Sequence, residues 1–411
     1  MANTGNIIVI ERDTNENSPT YNTTRTRTYQ DLENCSPYAP SWDEISRVCV
    51  TADGENTGYA TVTEIDLNPN SQTYQTTRVL VVEDLENCPL PPLPPGNYKL
   101  VYTTTDNTTG TLNCDATGTI TSIETGNIGK AIFVTAIVEQ CVDTLADNAF
   151  QGCNHLTTIT IPSSVTSFGM NAFSGCGLLS EVHIEDLAAW CGVSIYTSSF
   201  MSNPVYMAGH LYLNGSEITS LTIPNTVTAI SDSVFIGDIG LTSLTIPSNV
   251  RTIGNYAFYN CSGITSLTIN SGVTSIGQYA FTGCTSITDI TIPDSVTSIG
   301  KNAFYECSGA VSATIGNGVT TIGADAFENC TNLTTVTIGT GVTYIDSYSF
   351  KGCTGLSSVT VNATTPPTLR YNVFDNTNNC PIYVPAASVN AYQSATRWSN
   401  YASRIQAIPN S

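Results

Sequence analysis

Charge is scarce in this chain, and positive charge scarcest. Only 11% of the 411 residues are charged, with 13 Lys and Arg against 33 Asp and Glu, a formal net charge of −20. Nucleic acid and anionic membrane surfaces need basic side chains to neutralise phosphate, so neither is an expected partner. Long apolar runs are missing as well: the stretch around Ala131–Val138 falls far short of the roughly 18 residues that span a bilayer. The three histidines, His155, His183 and His210, have no partners at metal-ligand or metalloprotease spacing. No Gly-x-Ser-x-Gly, phosphate-binding loop or paired-carboxylate signature stands out. The reading is therefore a non-enzymatic protein with no cofactor. The start, MANTGNIIVIE, lacks the basic and then apolar segments of a secretory signal.

What the chain has in abundance is repetition. Phe150 and Phe173 are one 23-residue period apart, and Phe235, Phe258, Phe281, Phe304, Phe327 and Phe350 keep the same step. Nearly the same phrase surrounds each, as in LTSLTIPSNVRTIGNYAFYNC (241–261). A fixed period of this length predicts a solenoid whose coils are each too small to bury an apolar face alone. Within a coil, Leu244 and Ile246 point inward while Ser243 and Thr245 point out, by the two-residue strand period. Pro247 ends the strand, Val250 and Ile253 mark a second short one, and Gly254 permits the bend. Asn255–Phe258 reads as a single helical turn with Phe258 filling the interior, a burial that contributes about 1.5–3 kcal/mol. Ala310 and Ala313 replace larger inward residues, so a thin or pinched core is expected there.

Fourteen cysteines raise the question of a disulfide framework. Seven of them (Cys153, Cys176, Cys261, Cys284, Cys307, Cys330 and Cys353) follow a repeat phenylalanine by three residues. Coils about 4.8 Å apart set such cysteines in a column with parallel Cβ vectors. Bridges need converging Cβ atoms, so buried free thiols acting as small spacers are expected. Any bridges belong instead with Cys35, Cys49, Cys88 and Cys114.

A second repeat occupies the amino-terminal third. NENSPTYNTTR…DLENC (15–35) matches NPNSQTYQTTR…DLENC (68–88) at an offset of 53, NIIVIERD (6–13) aligns with YATVTEID (59–66), and Trp42–Thr51 matches Pro95–Thr104 more loosely. The chain thus opens partway through a unit, and is read as a mature piece of a longer protein with an added start. Each unit reads as about three strands with Asn, Pro and Asp turns. Asp13/Asn15/Asn17 and Asp66/Asn68/Asn70 imitate the start of a calcium loop. Ser18 and Ser71 stand where its glycine belongs, and Thr24 and Thr77 where its glutamate belongs, so Asx turns are expected and no metal. CPLPPLPPG (88–96) is a stiff connector.

The division expected is a tandem β-repeat domain over 1–117, a solenoid over 118–373 and a cap over 374–411. An insertion at about 185–217 interrupts the array; it amounts to 39 residues, the 62-residue step from Phe173 to Phe235 less one period. Asp186–Cys191 reads as a short helix, and Asn214-Gly215 between alternating apolar residues as a hairpin. Pro385 before a helical stretch suits the start of a capping segment.

The phrase I-P-x-x-V-T-x-I-G-x-x-A-F-x-x-C, the insertion DLAAWC…NP…LYLNG and the ending IYVPAASVNAY…W…YASRIQAI resemble the BspA-like leucine-rich repeats of surface proteins of Bacteroides-type and treponemal bacteria. The likeness covers about 118–408. It implies a mainly β leucine-rich-repeat solenoid with parallel strands and one short helical turn per coil. It also implies an exported protein at the outer cell surface or outside the cell, and some members of the class are adhesins for host matrix proteins. The tandem units resemble modules that precede such repeats in gut Bacteroidetes proteins.

The outward strand positions form a row of Thr160, Thr222, Thr245, Thr268, Thr291, Thr314, Thr337 and Thr360. Beside it runs a second row of Ser and Thr broken by Glu181 and Asp289. Regular hydroxyl rows suit ice, but His183 and Asp289 interrupt the array, and Thr favours exposed strands in any case. Departures from the repeat are the better guide. Glu181 and His183 stand just before the insertion, which brings Trp190, Tyr196, Tyr206 and Tyr212; with Asp289 these form the expected binding patch. The competing reading makes the aromatics the insertion's own small core. The expected partner is an extracellular protein or a glycan, bound by a monomer; a structural spacer is the other possibility.

Overall fold

The computed structural model describes the backbone of five strands between residues 7 and 83. It also describes residues 98–409 apart from 108, 114–117, 122–124 and 126–132, with side chains from Lys99 onward. The chain divides into two compact units, Met1–Pro95 and Gly96–Ser411. In the first, an antiparallel sheet runs in the order Thr24–Tyr29, Ile7–Arg12, Thr77–Glu83, Glu55–Asp66, Trp42–Ala52. The side chains of the Asp13 and Asp66 turns lie outside the described residues.

The second unit is the solenoid. Its coils are joined along three lines. One is a parallel ladder of four-residue strands, such as Ser243–Ile246 against Ser266–Ile269, with Leu244 opposite Leu267 and Thr245 opposite Thr268. A second is a parallel ladder of two-residue strands, such as Thr252–Ile253 against Ser275–Ile276. The third runs through the turns, where Phe258 N–H donates to Ala280 O at 2.8 Å and Phe281 N–H to Ala303 O at 2.8 Å. That third line replaces the expected helical turn. Each phenylalanine N–H crosses to the next coil instead of reaching back along its own chain, and the residue two before it is left-handed. Asn148, Asn171, Asn302, Asp325 and Asn372 hold φ between 54° and 59° there, a conformation that Asn and Asp tolerate well.

Phenylalanine forms the interior axis. Phe235, Phe258, Phe281, Phe304, Phe327 and Phe350 are fully buried, with successive ring centroids 5.1–5.4 Å apart and planes within 8°. Phe374 continues the stack at 5.6 Å. Ala310 and Ala313 are buried in the coil where a thin core is expected, and the spacing of the ring stack stays regular there. Phe304 keeps 5.1 and 5.3 Å to its neighbours, because backbone ladders and stacked rings set the coil spacing whatever the size of the inward side chains.

The column cysteines are buried and unbridged. They act as more than spacers: Cys261, Cys284 and Cys307 each donate S–H to the phenylalanine carbonyl of the preceding coil at 3.0–3.2 Å. Cys141, which no repeat position singles out, is disulfide-bonded. The side chains of Cys35, Cys49, Cys88 and Cys114 are not among those described.

Both ends of the solenoid are closed. At the front, the hairpin Tyr98–Thr104 and Thr109–Asn113 lies antiparallel on the strand Phe133–Val138, pairing Leu100 with Val138 and Val101 with Ile137. The 53-residue match places these residues in the preceding module, before 118; in the structure they belong with the solenoid, because its first strand offers an open edge to pair. At the back, Tyr392 and Trp398 are fully buried, and their O–H and N–H donate to the Ala363 and Pro367 carbonyls at 2.7 Å.

Candidate partner-binding face

The insertion makes the strand face irregular. The stretch read as a short helix forms Leu187–Cys191, with Asp186 as its cap, accepting from Ala188 and Ala189 N–H at 2.7 and 3.0 Å. A second helix, Pro204–Ala208, starts at the Asn203 cap and ends at left-handed Gly209. The chain then enters Leu211–Leu213, which pairs in parallel with Glu181–Ile184, and turns through Asn214-Gly215 into Ser216–Glu217. This register sets His183 opposite Tyr212, and Tyr212 opposite Glu217.

The outcome is a compact polar and aromatic cluster. The His183 ring stacks on Tyr212 with centroids 4.8 Å apart and planes 20° off parallel. His183 Nε2 lies 3.0 Å from Glu181 Oε2, and His210 Nδ1 lies 2.7 Å from Glu217 Oε1. Partial burial and the nearby Glu217 and Glu181 carboxylates push the Tyr212 hydroxyl above its ordinary value. An aromatic ring flanked by two carboxylates suits a cationic side chain, which stacks on the ring and pairs with the oxygens.

Three of the seven expected patch residues, Glu181, His183 and Tyr212, therefore meet. Trp190 does not join them. It is 2% exposed, sits 5.8 Å from Phe168, and donates its indole N–H to Val234 O at 3.1 Å, so its place is in the core that bridges the interrupted phenylalanine stack. Tyr206 is half-buried against Phe200, whose ring also contacts Tyr256 and Tyr259 on the turns. Tyr196 is exposed, with no ring contact among the described residues. Asp289 is outward on a strand several coils further along. Glu217 and His210 are missed by sequence reasoning; the Asn-Gly hairpin register carries the signal for Glu217 across from Tyr212.

The hydroxyl rows are in register: Thr222, Thr245 and Thr268 align, as do Thr291, Thr314, Thr337 and Thr360. Among the described residues no helix is long and apolar enough to cross a membrane, and no group of three His, Cys, Asp or Glu side chains is placed to hold a metal.

A family model described as the BspA type leucine rich repeat region matches residues 121–208, 207–333 and 274–401. The solved structures that match include a leucine rich cell surface protein from Faecalibacterium prausnitzii. It is 21% identical, over 78% of this chain and 99% of that one, with a TM-score of 0.39. Leucine-rich repeat proteins from Bacteroides ovatus (21% identity, 89% and 99% coverage, TM-score 0.34) and Eubacterium ventriosum (19%, 67% and 94%, 0.40) also match. No curated protein matches at a significant level.

Proposed function

Since the chain belongs to the BspA type leucine rich repeat family, we propose that it is a non-enzymatic protein displayed at the outer cell surface or released from the cell, which binds another protein through its strand face. The stack of His183 on Tyr212, bracketed by Glu181 and Glu217, carries this reading. Elsewhere the face presents short hydroxyl side chains, which keep a sheet soluble but anchor little. Binding energy concentrates in a few aromatic and charged groups, and on the strand face such groups converge here. The acidic balance of the chain complements a basic partner and favours a monomer that engages a host or matrix protein. The same resources make an adhesin.

The test is binding to a panel of immobilised extracellular-matrix proteins. Glu181→Lys with His183→Ala, and separately Tyr212→Ala, should each weaken capture about tenfold or more, the size of a hot-spot loss. Unchanged capture discards the cluster as the site, and no capture by any matrix protein discards the adhesin reading.

A second reading, a glycan-binding role, draws on the turns. Tyr256 and Tyr279 stack at 4.7 Å with planes 4° apart, and both are left-handed at φ 56° and 57°. Aromatic rings held at a strained position offer a platform for a sugar ring. A glycan array with Tyr279→Ala decides it: no bound glycan, or binding indifferent to the substitution, removes this reading. Trp190→Ala is unsuitable as a probe because that ring is buried.

A further inference from the structure

Apart from the insertion, which interrupts both strand ladders, one junction between described coils is joined on only two of its three lines. The strand Ser266–Ile269 pairs with the coil before it, and Asp289–Ile292 with the coil after it, but no ladder joins the two to each other. Behind them everything is closed. Ser275 and Ile276 pair with Ser298 and Ile299, Phe281 N–H donates to Ala303 O at 2.8 Å, and the Phe281 and Phe304 rings stack at 5.1 Å. The core is less fully covered at this place. Leu267 is half-buried where its equivalents Leu244 and Ile290 are buried, and Ile269 is 7% exposed where Ile246 is 0%.

Two fasteners flank each strand of this face, and the sequence decides which are present. At the strand's start, a hydroxyl and an N–H grip the preceding coil: Thr242 donates both to Thr219 O at 2.8 Å, and Thr265 N–H and Oγ1 donate to Thr242 O at 2.9 and 3.1 Å. At the strand's end, the N–H of Asn270, Gly316, Gly339 and Asn362 donates to the carbonyl of Ile246, Ile292, Ile315 and Ile338 at 2.9–3.0 Å.

Coils with proline at the end position, Pro162 and Pro247, lack that N–H and keep the hydroxyl grip of Thr157 or Thr242, while Pro224 lies in the coil that directly follows the insertion. The coil starting at Val311 lacks the hydroxyl and keeps the Gly316 N–H. The coil from Thr288 to Pro293 lacks both. Pro293 has no N–H, and Thr288 Oγ1 turns to Asp289 Oδ2 at 3.0 Å, a charged acceptor stronger than a carbonyl. Asp289 Oδ1 is itself held by Ser312 Oγ at 2.6 Å, which fixes the carboxylate toward the following coil.

We propose that Asp289 and Pro293 together build a flexion point into the strand face. The coils up to Ser266–Ile269 and those from Asp289–Ile292 form two blocks that open and close about the intact rear ladder, changing the curvature presented to a partner. Coil junctions elsewhere along this face, away from the insertion, are fastened at one side at least and resist the same motion.

Hydrogen exchange read by mass spectrometry tests this on the whole chain. Amides 288–292 should exchange about tenfold or more faster than those of Ser243–Ile246 and Thr335–Ile338, the mark of a locally open segment. Asp289→Ser, which returns the Thr288 hydroxyl to the Thr265 carbonyl, should restore protection to the level of the other strands. Pro293→Gly, which supplies the N–H that Gly316 and Gly339 provide elsewhere, should do so independently. Equal protection of the three strands in the unaltered protein overturns the proposal, and so does fast exchange that persists in both variants.

Discussion

Asp238 lies one coil before Cys261, in the buried position where seven other coils carry cysteine. It is 1% exposed, and its carboxylate oxygens face the Gly240 and Leu241 N–H groups without full hydrogen-bond geometry. Burial pushes its carboxyl up to about 8; the Gly240 and Leu241 N–H groups pull it the other way, and Glu217 adds to the rise.

The folded chain therefore keeps a proton on Asp238 that the unfolded chain has released above its ordinary value of 3.8. Stability from this group is greatest in acid, falls as pH rises from about 4 toward 8, and levels off beyond. Asp238→Cys should remove that slope and raise stability near pH 8 by on the order of 2–5 kcal/mol. Thermal melts of both proteins between pH 5 and 9 check this; parallel curves would count against it.

The column thiols should be silent in the native protein. Burial raises Cys307 to about 12 and lifts Cys261 and Cys284 well above their ordinary range, so almost no thiolate exists at pH 8. A chromogenic disulfide reagent should label them only as the chain unfolds, at a rate independent of reagent concentration. Fast second-order labelling of the folded protein would show them accessible.

Phe304→Ala should cost about 3–5 kcal/mol, the usual loss for a buried aromatic ring. Because each coil bonds only to its neighbours, the damage should stay local: hydrogen exchange rises around Phe281 and Phe327 and not around Phe150. A uniform loss of protection would contradict this nearest-neighbour picture.

Trp398→Ala should open the rear end. Trp398 packs 4.9 Å from Tyr392 and 6.1 Å from Phe374, the last ring of the stack. Its loss exposes Phe374 to solvent, with a cost of about 3–5 kcal/mol and new self-association visible by light scattering. A variant as stable and monodisperse as the parent would deny Trp398 its capping role.

The solenoid was legible because one phrase recurs: inward Leu and Ile, outward Thr and Ser, and a ring every 23 residues leave little choice of register. The insertion's short helix near Asp186 and its Asn-Gly turn were legible for local chemical reasons. What escaped depends on contacts between distant residues. Trp190 resembles an exposed anchor by type, and only the path of the insertion turns it into the core toward Val234. The hairpin from Tyr98 belongs to the earlier repeat by similarity and to the solenoid by pairing. Asp289 reads as a break in a hydroxyl row; that it draws the Thr288 hydroxyl from a carbonyl is a competition between acceptors, which no periodicity reveals.

The turn ladder donates forward, from Phe258 to Ala280, while the strand ladder donates backward, from Thr265 to Thr242. Most coils consequently offer matching sockets above and below, like bricks of one mould. Excising a single cassette such as 310–332 rejoins matching surfaces, so the length of the rod can drift by whole units while its two ends stay unchanged. Size variation among proteins built this way then needs no redesign of the interior, only unequal recombination in steps of one period.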